Sequence, residues 1–181
     1  TFDWFFKVRD RYESYMDEEG LFPWLFIRNV NEGGYEIHQT YKFFQNTNIV
    51  ETQKGERHKV PFGVQDMISS AMYARTMDFD KFEDGDTLAV MSFVDDELYK
   101  LMIRYKGKEK IRVKSGVYFC HKFNPVVQQG RVFKDSEELS VWITADENKI
   151  PILAKADVLV GSIKVELTSY AGLANPLAKI K

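Results

Sequence analysis

At 181 residues the chain is sized for a single domain over residues 1–181 with a core of its own. Its 44% hydrophobic and 14% aromatic content excludes a disordered polymer, and the longest apolar runs, such as Leu21 to Ile27, are too short to span a bilayer as a helix. Lys and Arg number 25 against 27 Asp and Glu, a net charge of -2, so the basic excess of a dedicated nucleic-acid binder is missing and no nucleic-acid partner is expected.

In chain order, the first 60 residues read as a meander of strands. Phe2, Trp4, Phe6 and Val8 alternate, and the segment to Met16 bends near Arg9 to Arg11. Because residue 1 already lies in a strand pattern with no initiating Met, the reading expects earlier strands and any signal peptide to be missing. Asp17-Glu18-Glu19-Gly20 is a turn by composition, Leu21 to Val30 a strand, and Asn31-Glu32-Gly33-Gly34 a second turn. Tyr35, Ile37, Tyr41 and Phe43 then alternate with polar residues in a half-buried strand, and Gln45 to Asn48 and Lys54-Gly55-Glu56 bound a short one at Ile49 to Thr52.

Pro61 to Met77 alone reads with helical period. Val64, Met67, Ile68, Ala71 and Met72 recur at i, i+3, i+4, i+7 and i+8, which predicts an apolar stripe laid against a sheet, with Asp66 as a cap near its start. Asp78 to Asp86 is an acidic loop, read as a solvated turn because an EF-hand frame fails, with an irregular, weak calcium site as the other outcome.

A second meander follows. Leu88 to Val94 and Leu98 to Tyr105 flank a turn at Asp95-Asp96-Glu97, and a three-residue turn is expected at Gly107-Lys108-Glu109 with Lys106 facing Lys110. That register would gather Lys100, Arg104, Lys106, Lys110, Arg112 and Lys114 on one basic face, able to dock on an anionic surface or stand solvated. Strands at Tyr118 to Phe123, Leu139 to Thr144, Ile150 to Ala156 and Ile163 to Leu167 complete the pattern. The fold expected is mainly β, an antiparallel meander forming a curved sheet or open half-barrel with one amphipathic helix on its concave face.

Several strands are apolar on both sides: Phe22, Trp24 and Phe26 against Leu21, Leu25 and Ile27, Phe5 beside Phe6, Phe43 beside Phe44. They call either for covers from elsewhere, a partner subunit or further strands, or for a groove beside the helix holding a lipid or other hydrophobic molecule. Trp24, Phe26, Met67, Met72 and Tyr73 are the candidate lining.

No catalytic residues are expected. Cys120 and His121 are neighbours in a strand and point to opposite faces; Cys120 reads as a buried thiol that, as the sole cysteine, forms no internal disulfide. His38, His58 and His121 lie in separate strands without ligand spacing, so no metal and no cofactor is expected. Ser69-Ser70 has neither an elbow glycine nor a following lysine, and no phosphate loop is present.

The order and spacing of Asp66-x-x-Ser69-Ser70-x-x-Tyr73-x-Arg75, Gly85-Asp86, Val141-Trp142-Ile143-Thr144-Ala145-Asp146, Ile150-Pro151-Ile152 and Gly161-Ser162-Ile163 with Leu167 resemble the bacterial domain of unknown function 3108 family, and Asp17, Leu21 and Pro23 fit the same pattern. The resemblance implies an exported, periplasmic or other envelope location and no established activity. By architecture alone the expectation is also similar to periplasmic lipoprotein carriers. Together these imply a non-enzymatic exported protein that binds an amphiphilic envelope molecule, or else a structural or protein-interaction module of the envelope.

Overall fold

The computed structural model describes residues 7–126, 139–157 and 162–180. The strand positions Phe2, Trp4 and Phe6, the Phe5–Phe6 pair and Gly161 lie outside the described residues. The chain divides into two compact units, residues 1–77 with 90–100, and residues 78–89 with 101–181.

In the first unit, β1 (Arg11–Met16), β2 (Pro23–Glu32), β3 (Tyr35–Phe44), β4 (Ile49–Thr52) and β5 (Arg57–Lys59) form an antiparallel meander in chain order. The β1–β2 turn is tied by Asp17, whose Oδ1 accepts from the amides of Glu19 and Gly20 at 3.1 and 2.7 Å. The β2–β3 hairpin closes through Gly33 and Gly34 at φ 59° and 97°; both central residues need positive φ in this two-residue turn, which glycine adopts without strain. Register places Phe26 opposite Tyr41 and Phe43 opposite Val50 on one face, where they form a core with Val60, Val64 and Phe93. On the other face Tyr15 and Leu25 align with Lys42, so that side is wet.

The helix, α1 (Met67–Ala74), is shorter and differently phased than the apolar spacing predicts. Val64 precedes it and is buried in the core; Gln65 forms a parallel bridge to Ser92, its amide bonding to the Met91 carbonyl at 2.9 Å. Of the predicted stripe, Ile68 packs on the core, while Met67 and Ala71 face solvent and Ser69 and Ser70 are buried. The cause is Asp66. As a buried cap, its side chain accepts from the amides of Ile68 and Ser69 while Ser69 Oγ accepts from the Asp66 amide, and this polar anchoring sets the helix phase. Eight residues are too few for an independent helix, so the cap and the packing of Ile68 hold it.

The second sheet contains β6 (Thr87–Val94), β7 (Glu97–Val113), β8 (Gly116–Val126), β9 (Leu139–Thr144), β10 (Pro151–Asp157) and β11 (Ser162–Glu166) in the order β11-β10-β9-β8-β7-β6, with β12 (Lys179–Ile180) also on β8. Residues 90–100 of β6 and β7 belong to the first unit. The fold is mainly β, with two antiparallel sheets and one α-helix, and neither strand order closes into a barrel among the described residues.

The turn expected at Gly107-Lys108-Glu109 is absent: β7 continues to Val113, and the chain reverses at Lys114-Ser115. Gly107 instead sits in a bulge at φ 80°, where β7 spends three steps from Tyr105 to Lys108 while β8 spends two from Phe123 to His121. One face of the β7–β8 pair forms a core of Val113, Tyr118, Cys120, Trp142, Ile152 and Leu153; the other carries Tyr105, His121 and Phe123 beneath Phe79 and Phe82.

Candidate functional site

Within the first unit, Gln45 joins three stretches of chain that are far apart in sequence. It is buried in the short 3-10 turn after β3; its Nε2 donates to the carbonyls of Pro23 and Val64 at 3.0 and 3.5 Å, and its Oε1 accepts from the Gly63 amide at 3.1 Å. Each stretch carries an aromatic residue beside the tie. Phe22 meets Trp24 edge-on at 5.3 Å and Phe62 at 5.7 Å between ring centroids. Trp24, Phe44, Phe62 and Met67 are 40, 41, 68 and 45% exposed. The indole does not swing freely, because its Nε1 donates to Asp17 Oδ2 at 3.3 Å. Trp24 and Phe62, both packed on Phe22 and left in water, form an apolar edge of this unit, while Phe44 follows Lys42 onto the opposite face of β3.

The five groove candidates are therefore divided. Trp24 and Met67 stand at the surface; Phe26 is 1% exposed, stacked on Tyr41 at 5.8 Å in the core; Met72 and Tyr73 are half-buried on α1, with Met72 Sδ accepting from the Arg75 guanidinium at 3.3 Å. Phe62 and Phe44 were not among the candidates. Phe62 lies within the helical segment but off its predicted stripe, which starts at Val64, and of the apolar pair Phe43 and Phe44 only Phe43 enters the core.

A second feature of the same unit is a cavity of about 290 Å³ lined by Glu36, Ile37, His38, Gln39, Tyr41, Thr52, Gln53, Lys54 and Asp96. Its lining is mostly polar, and none of the groove candidates contributes to it. The Tyr41 hydroxyl accepts from the Asp96 amide at 3.1 Å, and burial pushes that phenol well above its ordinary range. Thr52 Oγ1 is buried with no hydrogen-bond partner.

Beneath the helix, Asp66 also accepts from Ser14 Oγ at 2.6 Å, and Ser70 Oγ lies 2.7 Å from Ser92 Oγ. Burial raises the Asp66 carboxyl above the ordinary carboxylate range, against the pull of these hydrogen bonds. The Asp and Ser pair of the helix thus forms a cap and anchor, and Ser69 and Ser70 have no base poised on them.

In the second unit, His121 Nδ1 lies 3.0 Å from the Tyr105 hydroxyl, and its Nε2 lies 3.8 Å from Asp80, which takes Lys108 Nζ at 2.6 Å. Burial first, and Lys108 second, bring the imidazole down to about 4, so it is neutral at physiological pH. The sequence pairs His121 with Cys120 only as strand neighbours and with His38 and His58 only as histidines without ligand spacing, and the register places His121 and Cys120 on opposite faces as expected. Burial, with Asp146 and Glu109 nearby, pushes the Cys120 thiol up to about 12, an inert sulfur.

The bulge separates the basic residues. Arg104 aligns with Asn124 while Lys110 and Arg112 align with Phe119 and Val117, which puts Arg104 on the face opposite to the other two; Lys106 falls in the bulge and Lys114 in the turn. Lys100 belongs to the first unit. In the acidic loop, Asp78 accepts from the Asp80 amide and pairs with Lys81 at 3.0 Å, and Asp86 accepts from the Glu83 amide at 2.8 Å. Asp146 ties the β9–β10 turn through Thr144 Oγ1 and the amides of Asn148, Lys149 and Ala178.

These features define a two-sheet antiparallel protein whose distinctive surfaces are a rigid aromatic edge and a polar cavity, both in the first unit. The chain belongs to the family described as Protein of unknown function (DUF3108), whose model matches residues 1–168. No curated protein and no solved structure matches the chain. The residues that carried the resemblance have structural roles: Asp66, Ser69 and Ser70 cap and seat the helix, the Gly85 amide bonds to the Tyr105 carbonyl, and Thr144 and Asp146 build a turn.

Proposed function

We propose that the chain is a non-enzymatic binding protein of the bacterial envelope whose first unit takes a hydrophobic or amphiphilic molecule against Trp24 and Phe62, which both pack on Phe22. The observation that carries this reading is the exposure of these rings while Gln45 holds their supporting segments in place. A preformed apolar edge gains free energy when an acyl chain or similar group displaces its water, and little ordering entropy opposes it. Met67 extends the set; Phe26 supports it only as core. The export expected from the family resemblance is part of the proposal. The test is extraction of the protein purified from its own host, followed by native mass spectrometry and displacement of a fluorescent fatty-acid probe. Bound lipid that is lost in a Trp24→Ala/Phe62→Ala variant supports the reading; a lipid-free protein that does not displace the probe defeats it.

A second reading, a protein-interaction module, is favoured by one observation in the second unit. Ile163 and Val165 stand exposed on β11, the outer strand of its sheet, a composition suited to pairing with another protein. A stable complex with a second envelope protein that is lost on Val165→Lys would favour it.

A further inference from the structure

The cavity of the first unit lies along an incomplete strand edge. β3 pairs with β2 from Tyr35 to Lys42, but with β4 only from Tyr41 to Phe44, so Glu36 to Thr40 have a neighbour on one side only among the described residues. β4 ends at Thr52, where the chain turns away through Gly55, whose amide bonds to the Thr52 carbonyl at 2.9 Å. The sequence supplies one substitute for the missing strand: Gln53 Nε2 donates to the His38 carbonyl at 2.5 Å, in the direction in which β4 would have continued. A side-chain amide here does the work of a strand amide, and the neighbouring main-chain groups of β3 have no such substitute among the described strands.

Side chains of β3 that share the face of Tyr41, namely Ile37 and Gln39, form one wall of the cavity, and Tyr41, Thr52 and Asp96 form its floor. Thr52 is 5% exposed, and its Oγ1 is an orphan in a protein interior, where hydroxyls are ordinarily bonded. Glu36 and Lys54 also line the cavity, and the carboxylates of Glu36 and Asp96 outnumber the single Lys54 amine. The Thr52 hydroxyl is sealed from the cavity, so a fitting occupant supplies main-chain groups to an antiparallel edge and a side chain that donates hydrogen bonds to the carboxylates.

We infer that Glu36 to Thr40 accept an extended peptide segment as an added strand that displaces Gln53 from the His38 carbonyl, with one amine-bearing side chain inserted over Asp96. Main-chain pairing gives such a complex its affinity, and the side-chain cavity gives it a preference at one position. This site is separate from the aromatic edge, so either can fail without the other.

The test is titration of the ¹⁵N-labelled chain with the blocked pentapeptide acetyl-Thr-Val-Lys-Val-Thr-amide, followed by NMR. Amide shifts centred on Glu36 to Thr40 and Thr52 to Lys54 are expected. Methylating the alternate peptide nitrogens that face β3 should abolish them, because a methylated amide cannot donate. Replacing the central Lys by norleucine should weaken binding about tenfold, the effect of losing its pairing with the Asp96 carboxylate. Asp96→Asn should erase most of that preference while leaving the methylation effect intact, and circular dichroism confirms that the variant is folded. No shifts at millimolar peptide, equal binding of the methylated peptide, or shifts centred away from β3 would overturn the inference.

Discussion

Replacing Asp66 by Ala removes the acceptor that starts α1. The carboxylate takes Ser14 Oγ at 2.6 Å and the Ile68 and Ser69 amides at 2.7 and 2.8 Å, in a residue with no exposed surface. Loss of an N-cap costs about 1 kcal/mol, and the amides left unmet in a dry site add about 1–3 kcal/mol more. Relief of a buried charge offsets part of this, so the net loss is about 2 kcal/mol, or a drop of roughly 4–8 °C in Tm for a chain of this size. Asp66→Asn keeps an oxygen where Oδ1 accepts both amides, and its cost should be about 1 kcal/mol. The two variants also differ from the parent in pH response. Because the folded carboxyl titrates above its unfolded value, the folded chain holds a proton that the unfolded chain releases; stability therefore falls as pH rises through that window, and both variants lose the slope. Urea denaturation followed by circular dichroism at several pH values measures all of this. An Asp66→Ala variant within about 0.5 kcal/mol of the parent, or an Asn variant as damaged as the Ala variant, would refute the reasoning.

His121 titrates at about 4 when folded against 6.5 unfolded, so between those values only the unfolded chain gains a proton; stability present above pH 6.5 is lost on acidification by up to about 3 kcal/mol, and a His121→Phe variant should show a flatter acid limb in urea titrations. Thr52→Val removes an orphan hydroxyl from the core and should raise stability by about 1 kcal/mol, measured by the same denaturation. Gly107→Val places a β-branched residue at φ 80° in the β7 bulge, where space is open but the backbone is not, and should cost about 1–2 kcal/mol in the same assay. Cys120 should react with a thiol reagent only at the rate of unfolding, and fast modification in native buffer would contradict its burial.

Strand positions were legible because period-2 alternation and turn residues report directly on burial: the Asp17 to Gly20, Gly33-Gly34 and Asp95-Asp96 turns all fall where composition places them. Gly107 misled because one glycine with positive φ serves a hairpin turn or a bulge equally well, and only the pairing partner on β8 decides between them. That single choice put Lys110 and Arg112 on the face opposite to Arg104. The helix was found but its phase was not, since apolar periodicity carries no account of a buried carboxylate that seats two serines. The aromatic edge was half seen through Trp24. Phe62 escaped because Gln45, a polar residue bonded to two distant main-chain segments, leaves no periodic trace. The cavity arises from where β4 stops relative to β3, a property of pairing that no single strand displays.

The binding account rests most directly on whether an acyl chain reaches Trp24. Titrating the protein, with Trp4 replaced by Phe, with a fatty acid brominated along its chain, and following indole fluorescence in this parent and in its Trp24→Phe variant, reads that contact, since the one other indole, Trp142, is buried in the second unit. The account predicts saturable quenching in the parent that disappears in Trp24→Phe; equal quenching in both, or none at any concentration below micelle formation, would contradict it.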